Sequence, residues 1–195
     1  LHLEENAAEF LVFRGKALQK WRPPALTTTV LTALDGPWAV KFQAGRGAPP
    51  AATFEHLTDW SVSSDPGIKY FSGAAVYSRH VTVPSTWARQ GRRVVLDLGD
   101  VRELAVVSVD GTVVSTAWHA PFEVDLTSRL TPGPHQLDIK VVNLWVNRLI
   151  GDQQPGATRV AFAPQSPYTA HSALRPSGLL GPVRILARDS KQDSP

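Results

Sequence analysis

Apolar side chains along this chain recur mostly at every second position, the period of a half-buried strand. The cleanest case is His135 to Trp145, where Leu137, Ile139 and Val141 share one face and Gln136, Asp138 and Lys140 the other. That pattern predicts a strand with a core side and a wet side. Trp38-Ala39-Val40-Lys41-Phe42 alternates in the same way directly after the turn signal Asp35-Gly36-Pro37. A longer strand is predicted from about Gly73 to Val83, ended by Pro84, and a further one over Val94 to Gly99, with Val94, Leu96 and Leu98 on one face. Asp110-Gly111, set between Glu103–Val109 and Thr112–Trp118, predicts a tight hairpin. Phe122 to Leu126 is a shorter alternation, and Leu179 to Leu186 predicts the last strand.

The intervening segments read differently. Gly45 to Ala52 is rich in Gly, Pro and Ala and predicts loop, followed by an irregular turn in which Phe54, Leu57 and Trp60 fall on one side at spacing three. Asn143-Leu144-Trp145-Val146-Asn147-Arg148-Leu149-Ile150-Gly151-Asp152 ends a strand and passes into a polar, aromatic loop. Gly151 to Ser177 is then a long excursion of Pro, Gly, Ser, Thr and Gln, which a sandwich tolerates only if it lies across a face or binds something. The predicted organisation is an arm or the end of a preceding accessory domain over residues 1–32, a β-sandwich over 33–188 and a polar tail over 189–195. Within the arm, Glu9 to Arg14 predicts a short strand, interrupted by Gly15 and by Trp21-Arg22-Pro23-Pro24.

Composition narrows the classes. A chain of 195 residues, 43% hydrophobic and 19% charged, encloses one substantial core with little room for a second domain. Sixteen Pro and fourteen Gly spread between short Val-rich runs favour many strands and turns over long helices, so an all-β sandwich is the expected class. The formal charge of +3 is small and its cations are scattered, which argues against nucleic acid and membrane surfaces as partners. No cysteine is present, so disulfide frameworks, thiol catalysis and thiolate metal sites are excluded. A chain that begins at Leu1 and contains no Met reads as a mature fragment, a cleaved piece or an excised one.

Catalytic signatures are sparse. Asp100, Asp110 and Asp125 fall at strand ends or turns, where capping explains them, and no acidic pair can be assigned from spacing alone. The six histidines lack a metal-binding spacing, and nucleophile-elbow and phosphate-loop patterns are absent. Of the six Trp, Trp38 and Trp87 read as core, whereas Trp60, Trp118 and Trp145 each stand beside polar loop residues. Trp118, Trp145, Asn147 and Arg148 form the candidate ligand-binding set: aromatic faces stack on sugar C–H surfaces while amide and guanidinium groups hydrogen-bond to hydroxyls. The competing reading is bracing, with Arg148 paired to Asp152 or Asp59 and with Asn143 and Asn147 satisfying loop backbone groups.

These motifs carry a resemblance. Leu34 to Phe42, Leu57-Thr58-Asp59-Trp60, Gly67 to Gly73, Tyr77, Val83-Pro84, Leu96 to Val101, Asn143 to Asp152 and Pro176 to Val183 closely resemble the C-terminal region of bacterial α-L-rhamnosidases of glycoside hydrolase family 106. More broadly, that region is similar to the family 2-type sugar-binding-like jelly rolls with a galactose-binding-like fold, and the similarity is ordered from about Leu34 to Leu186. It implies a non-catalytic jelly-roll β-sandwich that accompanies a glycosidase whose carboxylates and calcium site lie on an upstream barrel, so no catalytic residue carries over to this chain. It further implies a catalytic domain or companion chain as partner and a periplasmic or secreted location. The expected role is a module supporting the catalytic domain and its substrate approach. The alternatives are an independent carbohydrate-binding module for plant or microbial rhamnose-containing glycans, and a small self-contained glycoside hydrolase. Calcium held by loop Asp or backbone carbonyls is compatible with a jelly roll, although no EF-hand spacing is present.

Overall fold

A computed structural model describes residues 25–190 together with Ala8, Phe10, Val12 and Arg14. The first half contains β1 (Leu26–Ala33), β2 (Trp38–Phe42), β3 (Ala51–Phe54), α1 (Pro66–Lys69), β4 (Ala74–Val83), β5 (Arg92–Asp97) and β6 (Asp100–Arg102). It continues through β7 (Leu104–Val109), β8 (Thr112–Ala117), β9 (Glu123–Asp125), β10 (Gly133–Val142), α2 (Val146–Gly151), β11 (Gly178–Gly181) and β12 (Arg184–Ser190). A six-stranded sheet in the order β3-β2-β4-β10-β7-β8 and a four-stranded sheet in the order β1-β12-β5-β9 enclose one core, and β11 pairs with β6 at the side. Every strand pair is antiparallel. This is an all-β jelly-roll sandwich of galactose-binding-like form.

Alternation decides which side chains face inward. On β10, Leu137, Ile139 and Val141 are buried, and on β2 Trp38, Val40 and Phe42 are buried with Ala39 and Lys41 outside. The four-stranded sheet contributes Val94, Leu96 and Ile185 from its central strands. At the heart of the core the Trp60 ring lies parallel to Tyr77, 5° apart in plane and 6.2 Å between centroids. Trp60 Nε1 donates to Tyr77 Oη at 2.7 Å, and the Leu179 backbone N–H donates to the same oxygen at 3.2 Å. Two buried donors are thereby satisfied by one hydroxyl, as a polar atom at this depth requires. Burial pushes the Tyr77 phenol well above its ordinary pKa.

Several sequence expectations change. Residues Leu26–Ala33, which the sequence placed largely in the arm, form an edge strand whose partner is β12; its run of threonines shows no alternation because most of the strand is exposed. Ala51–Phe54 is strand rather than loop and turn, since pairing with β2 outweighs the Gly/Pro/Ala composition before it. The stretch after β10 is not a loop throughout: Val146–Gly151 is helical, turning Asn147, Arg148 and Ile150 inward. The last predicted strand is two, β11 and β12, divided at Pro182, which has no N–H to donate. β12 also runs through Ser190, into the expected tail. Of the predicted strand Glu9 to Arg14, residues Glu9, Leu11 and Phe13 lie outside the described residues, as does Trp21.

Candidate functional site

The register gathers the candidate residues at one end of the six-stranded sheet. Val142 at the end of β10 faces Leu104, and Ala105 on the same strand faces Ala117 at the end of β8. Trp118, following β8, and Trp145, following β10, therefore emerge at the same end of the sheet, from strands separated by β7. Trp118 is 67% exposed, with its ring edge-on to His119 at 4.7 Å. Trp145 is 44% exposed, and the Arg46 guanidinium from the β2–β3 loop sits 4.5 Å from its ring centroid.

Asn147 is placed quite differently, at 1% exposure. Its Nδ2 donates to Arg175 O at 2.7 Å and to Ser177 Oγ at 2.9 Å, while its Oδ1 accepts from Arg175 N at 2.8 Å. Both donors and one acceptor site are thus engaged within the chain. Asn143 performs a parallel task, donating to Phe71 O at 2.9 Å and accepting from Gly73 N at 2.9 Å. Ser72 joins the two, donating to Leu144 O at 2.8 Å and accepting from Arg148 N at 3.2 Å. Asp59 closes the far side: one carboxylate oxygen accepts from Ser61 N at 2.8 Å and Ser177 N at 2.9 Å. The return of the long excursion is stitched to Asn147 on one side and Asp59 on the other.

Arg148 is buried on the α2 face beneath the excursion, with Nε 2.9 Å from Asp152 Oδ1 one helical turn away. The contact is an ion pair by distance but not an aligned hydrogen bond, since Nε points away from the carboxylate line. Asp152 also accepts from Val160 N at 3.0 Å and Ala161 N at 2.7 Å, which holds the outgoing limb of the excursion. Sequence reasoning offered Asp152 or Asp59 as the partner of Arg148; the structure gives Asp152 and assigns Asp59 to the backbone.

A cavity of about 590 Å³ opens above Arg148, bounded by Gly47 of the β2–β3 loop, by Gly67 and Tyr70 around α1, and by Gln154 and Thr158 of the excursion. The sequence did not mark Tyr70 or the glycines as one site, because three stretches distant in the chain build it. Of five surface cavities, none is lined by more than one carboxylate. The convergent acidic pair that glycoside hydrolysis uses is absent from all five. Among the described residues no group of three or more His, Asp or Glu is placed to hold a metal ion. No described helix is long and apolar enough to cross a membrane.

Comparison with known proteins places this geometry. The solved rhamnosidase from Novosphingobium sp. PP1Y superposes on 87% of this chain with a TM-score of 0.80 and 46% identity, and the match covers 16% of that enzyme. Its relatives are glycoside hydrolases. A protein described as a β-glucuronidase from Formosa agariphila is 34% identical over 176 residues, covering 78% of this chain and 15% of its own. Human β-glucuronidase is 29% identical over 110 residues, 55% of this chain and 17% of that protein. The β-D-glucuronidase of Dictyoglomus thermophilum shares the fold, with a TM-score of 0.57 at 19% identity. No family model matches the chain. This glycoside hydrolase-associated domain thus spans about 15% of the length of the Formosa agariphila relative and 16% of the rhamnosidase.

Proposed function

We propose that the chain is a non-catalytic β-sandwich domain of a larger α-L-rhamnosidase-like hydrolase of the family 106 type, supporting the catalytic domain and its substrate approach. The observation that carries this reading is the 46% identity and TM-score of 0.80 over a segment amounting to 16% of a rhamnosidase. The site geometry supports it: Asn143, Asn147, Asp59 and Asp152 are spent on bracing loops, which is what a scaffold needs from buried polar groups. The partner is then the catalytic domain of the same hydrolase, and the location that of a secreted or periplasmic enzyme. The test is hydrolysis of an aryl α-L-rhamnopyranoside and an aryl β-D-glucuronide by this chain alone. No turnover of either is expected; turnover abolished by a substitution within the chain overturns the non-catalytic assignment.

A second reading, a carbohydrate-binding module for rhamnose-containing glycans, is favoured by the exposure of Trp118 and Trp145 at one end of the sheet. It expects saturable oligosaccharide binding that Trp118→Ala and Trp145→Ala each weaken without unfolding the chain. Unchanged affinity in both variants removes the rim as its basis.

A further inference from the structure

The Arg148 side chain is 7% exposed, and neither of its terminal nitrogens donates a hydrogen bond to any described residue. Of its side-chain nitrogens only Nε is fully enclosed without a partner, so the terminal N–H groups of the guanidinium fork reach the cavity, where water or a ligand oxygen can accept from them. Both terminal nitrogens are held against glycines that line the cavity. A methyl group added at Gly47 would lie 2.8 Å from Nη1, and one added at Gly151 would lie 2.5 Å from Nη2. The same added atom at Gly151 would also meet Tyr70 Cβ at 2.5 Å, so the absent side chain lets α2, Arg148 and Tyr70 converge. The result is a donor fork at the base of a cavity, an aromatic wall, and glycine backbone where side chains would fill the space.

The charge balance indicates which acceptor fits. Asp152 already stands 2.9 Å from Nε, so the buried pair is neutral as a unit and the remaining N–H groups call for neutral oxygen acceptors. A volume of about 590 Å³ falls within the roughly 300–1,000 Å³ typical of small-molecule sites. Hydroxyl and ring oxygens on one edge, with C–H groups to lie on an aromatic ring, are the attributes of a pyranose.

We propose that the cavity between the β2–β3 loop, α1 and the 148–160 segment holds one pyranose residue of a glycan, with the Arg148 guanidinium donating to its oxygens. This rests on the chain belonging to a glycoside hydrolase but places sugar contact at an open surface cavity beside Arg148, whose lining includes neither Trp118 nor Trp145. The site would give the parent enzyme a hold on substrate away from its reacting centre.

The test is an NMR titration of the 195-residue chain with methyl α-L-rhamnopyranoside, methyl β-D-glucuronide and sodium acetate in separate arms. Saturable shifts at Gly47, Gly67 and Gly151 are expected at millimolar pyranoside, the neutral sugar binding at least as tightly as the acidic one. Arg148→Lys should weaken this about tenfold. Because that variant disturbs a buried ion pair, Thr158→Trp provides the fold-sparing control: Thr158 is exposed and lines the mouth, so the indole blocks entry without touching Arg148 or Asp152. Binding unchanged in Thr158→Trp, or no saturable shift with either pyranoside, overturns the proposal. Acetate binding without pyranoside binding also overturns it, in favour of a socket for an acidic side chain of a neighbouring domain. None of these results bears on whether the chain hydrolyses glycosides, so loss of the pocket leaves the scaffold reading standing.

Discussion

Gly178 offers the sharpest test of how the excursion is anchored. It opens β11 at φ +101°, a backbone region that L side chains rarely adopt, and an added Cβ would sit 2.7 Å from both Cε2 and Nε1 of Trp60. Trp60 cannot yield: it is wholly buried, stacked on Tyr77 and hydrogen-bonded to its hydroxyl. Gly178→Ala therefore incurs two separate costs, about 1–3 kcal/mol of backbone strain and about 1–3 kcal/mol of overpacking. Gly133 separates them, because at φ +129° it has nothing within 4 Å of an added Cβ, so Gly133→Ala incurs the strain alone. Urea denaturation of both variants, followed by fluorescence and compared at equal slope, should show Gly178→Ala less stable than Gly133→Ala by about 1–3 kcal/mol. Near-ultraviolet circular dichroism should change only in the former, since only it disturbs the Trp60–Tyr77 stack. Equal losses in the two variants would mean that Trp60 moves aside, and the account of a rigid aromatic anchor would be wrong.

Two further outcomes follow from polar pairs, one buried and one half-exposed. Asp152→Ala leaves the Arg148 guanidinium without its counter-charge and frees Val160 N and Ala161 N, so a loss of about 3 kcal/mol is expected, with faster amide hydrogen exchange in residues 153–170; unaltered exchange there refutes the role given to Asp152. His135 holds Nδ1 2.6 Å from Asp110 Oδ2 and Nε2 2.7 Å from Thr131 O, two acceptors that favour the imidazolium and raise its pKa above the ordinary 6.5. The resulting stability is complete below pH 6.5 and is lost as pH rises through the elevated value, so melting temperature should fall over that window in the parent chain and not in His135→Gln; the same slope in both would exclude His135 as its source.

How much of this was legible in the sequence depended on whether the deciding contacts were local. β10 and β2 announced themselves because their inward and outward residues alternate without a break, and the β7–β8 hairpin did so because Asp110 and Gly111 both adopt positive φ, at 49° and 75°. β1 and β3 did not, since each exists through pairing with a partner strand rather than through a buried face of its own. The same division separates the site residues. Trp118 and Trp145 stand at strand ends that the alternation located, whereas the engagement of Asn147 with Arg175 and Ser177 joins α2 to the far limb of the excursion. Nothing near Asn147 in the chain foreshadows that contact. Trp60 illustrates the point from the other direction: its polar neighbour Asp59 left it ambiguous while its spacing with Phe54 and Leu57 put it on the apolar side of the turn, and in the structure Asp59 accepts from Ser177 while the indole enters the core.

The order of strands has a consequence for synthesis. β12 lies between β1 and β5, and among the described residues β1 pairs with β12 alone. As the chain leaves the ribosome, β1 has to wait for β12 before their shared ladder can form, leaving its amides and carbonyls without that partner beside the half-built core. Early release or truncation before Arg184 would leave the four-stranded layer divided, with Val94 and Leu96 uncovered on one flank and available to self-associate.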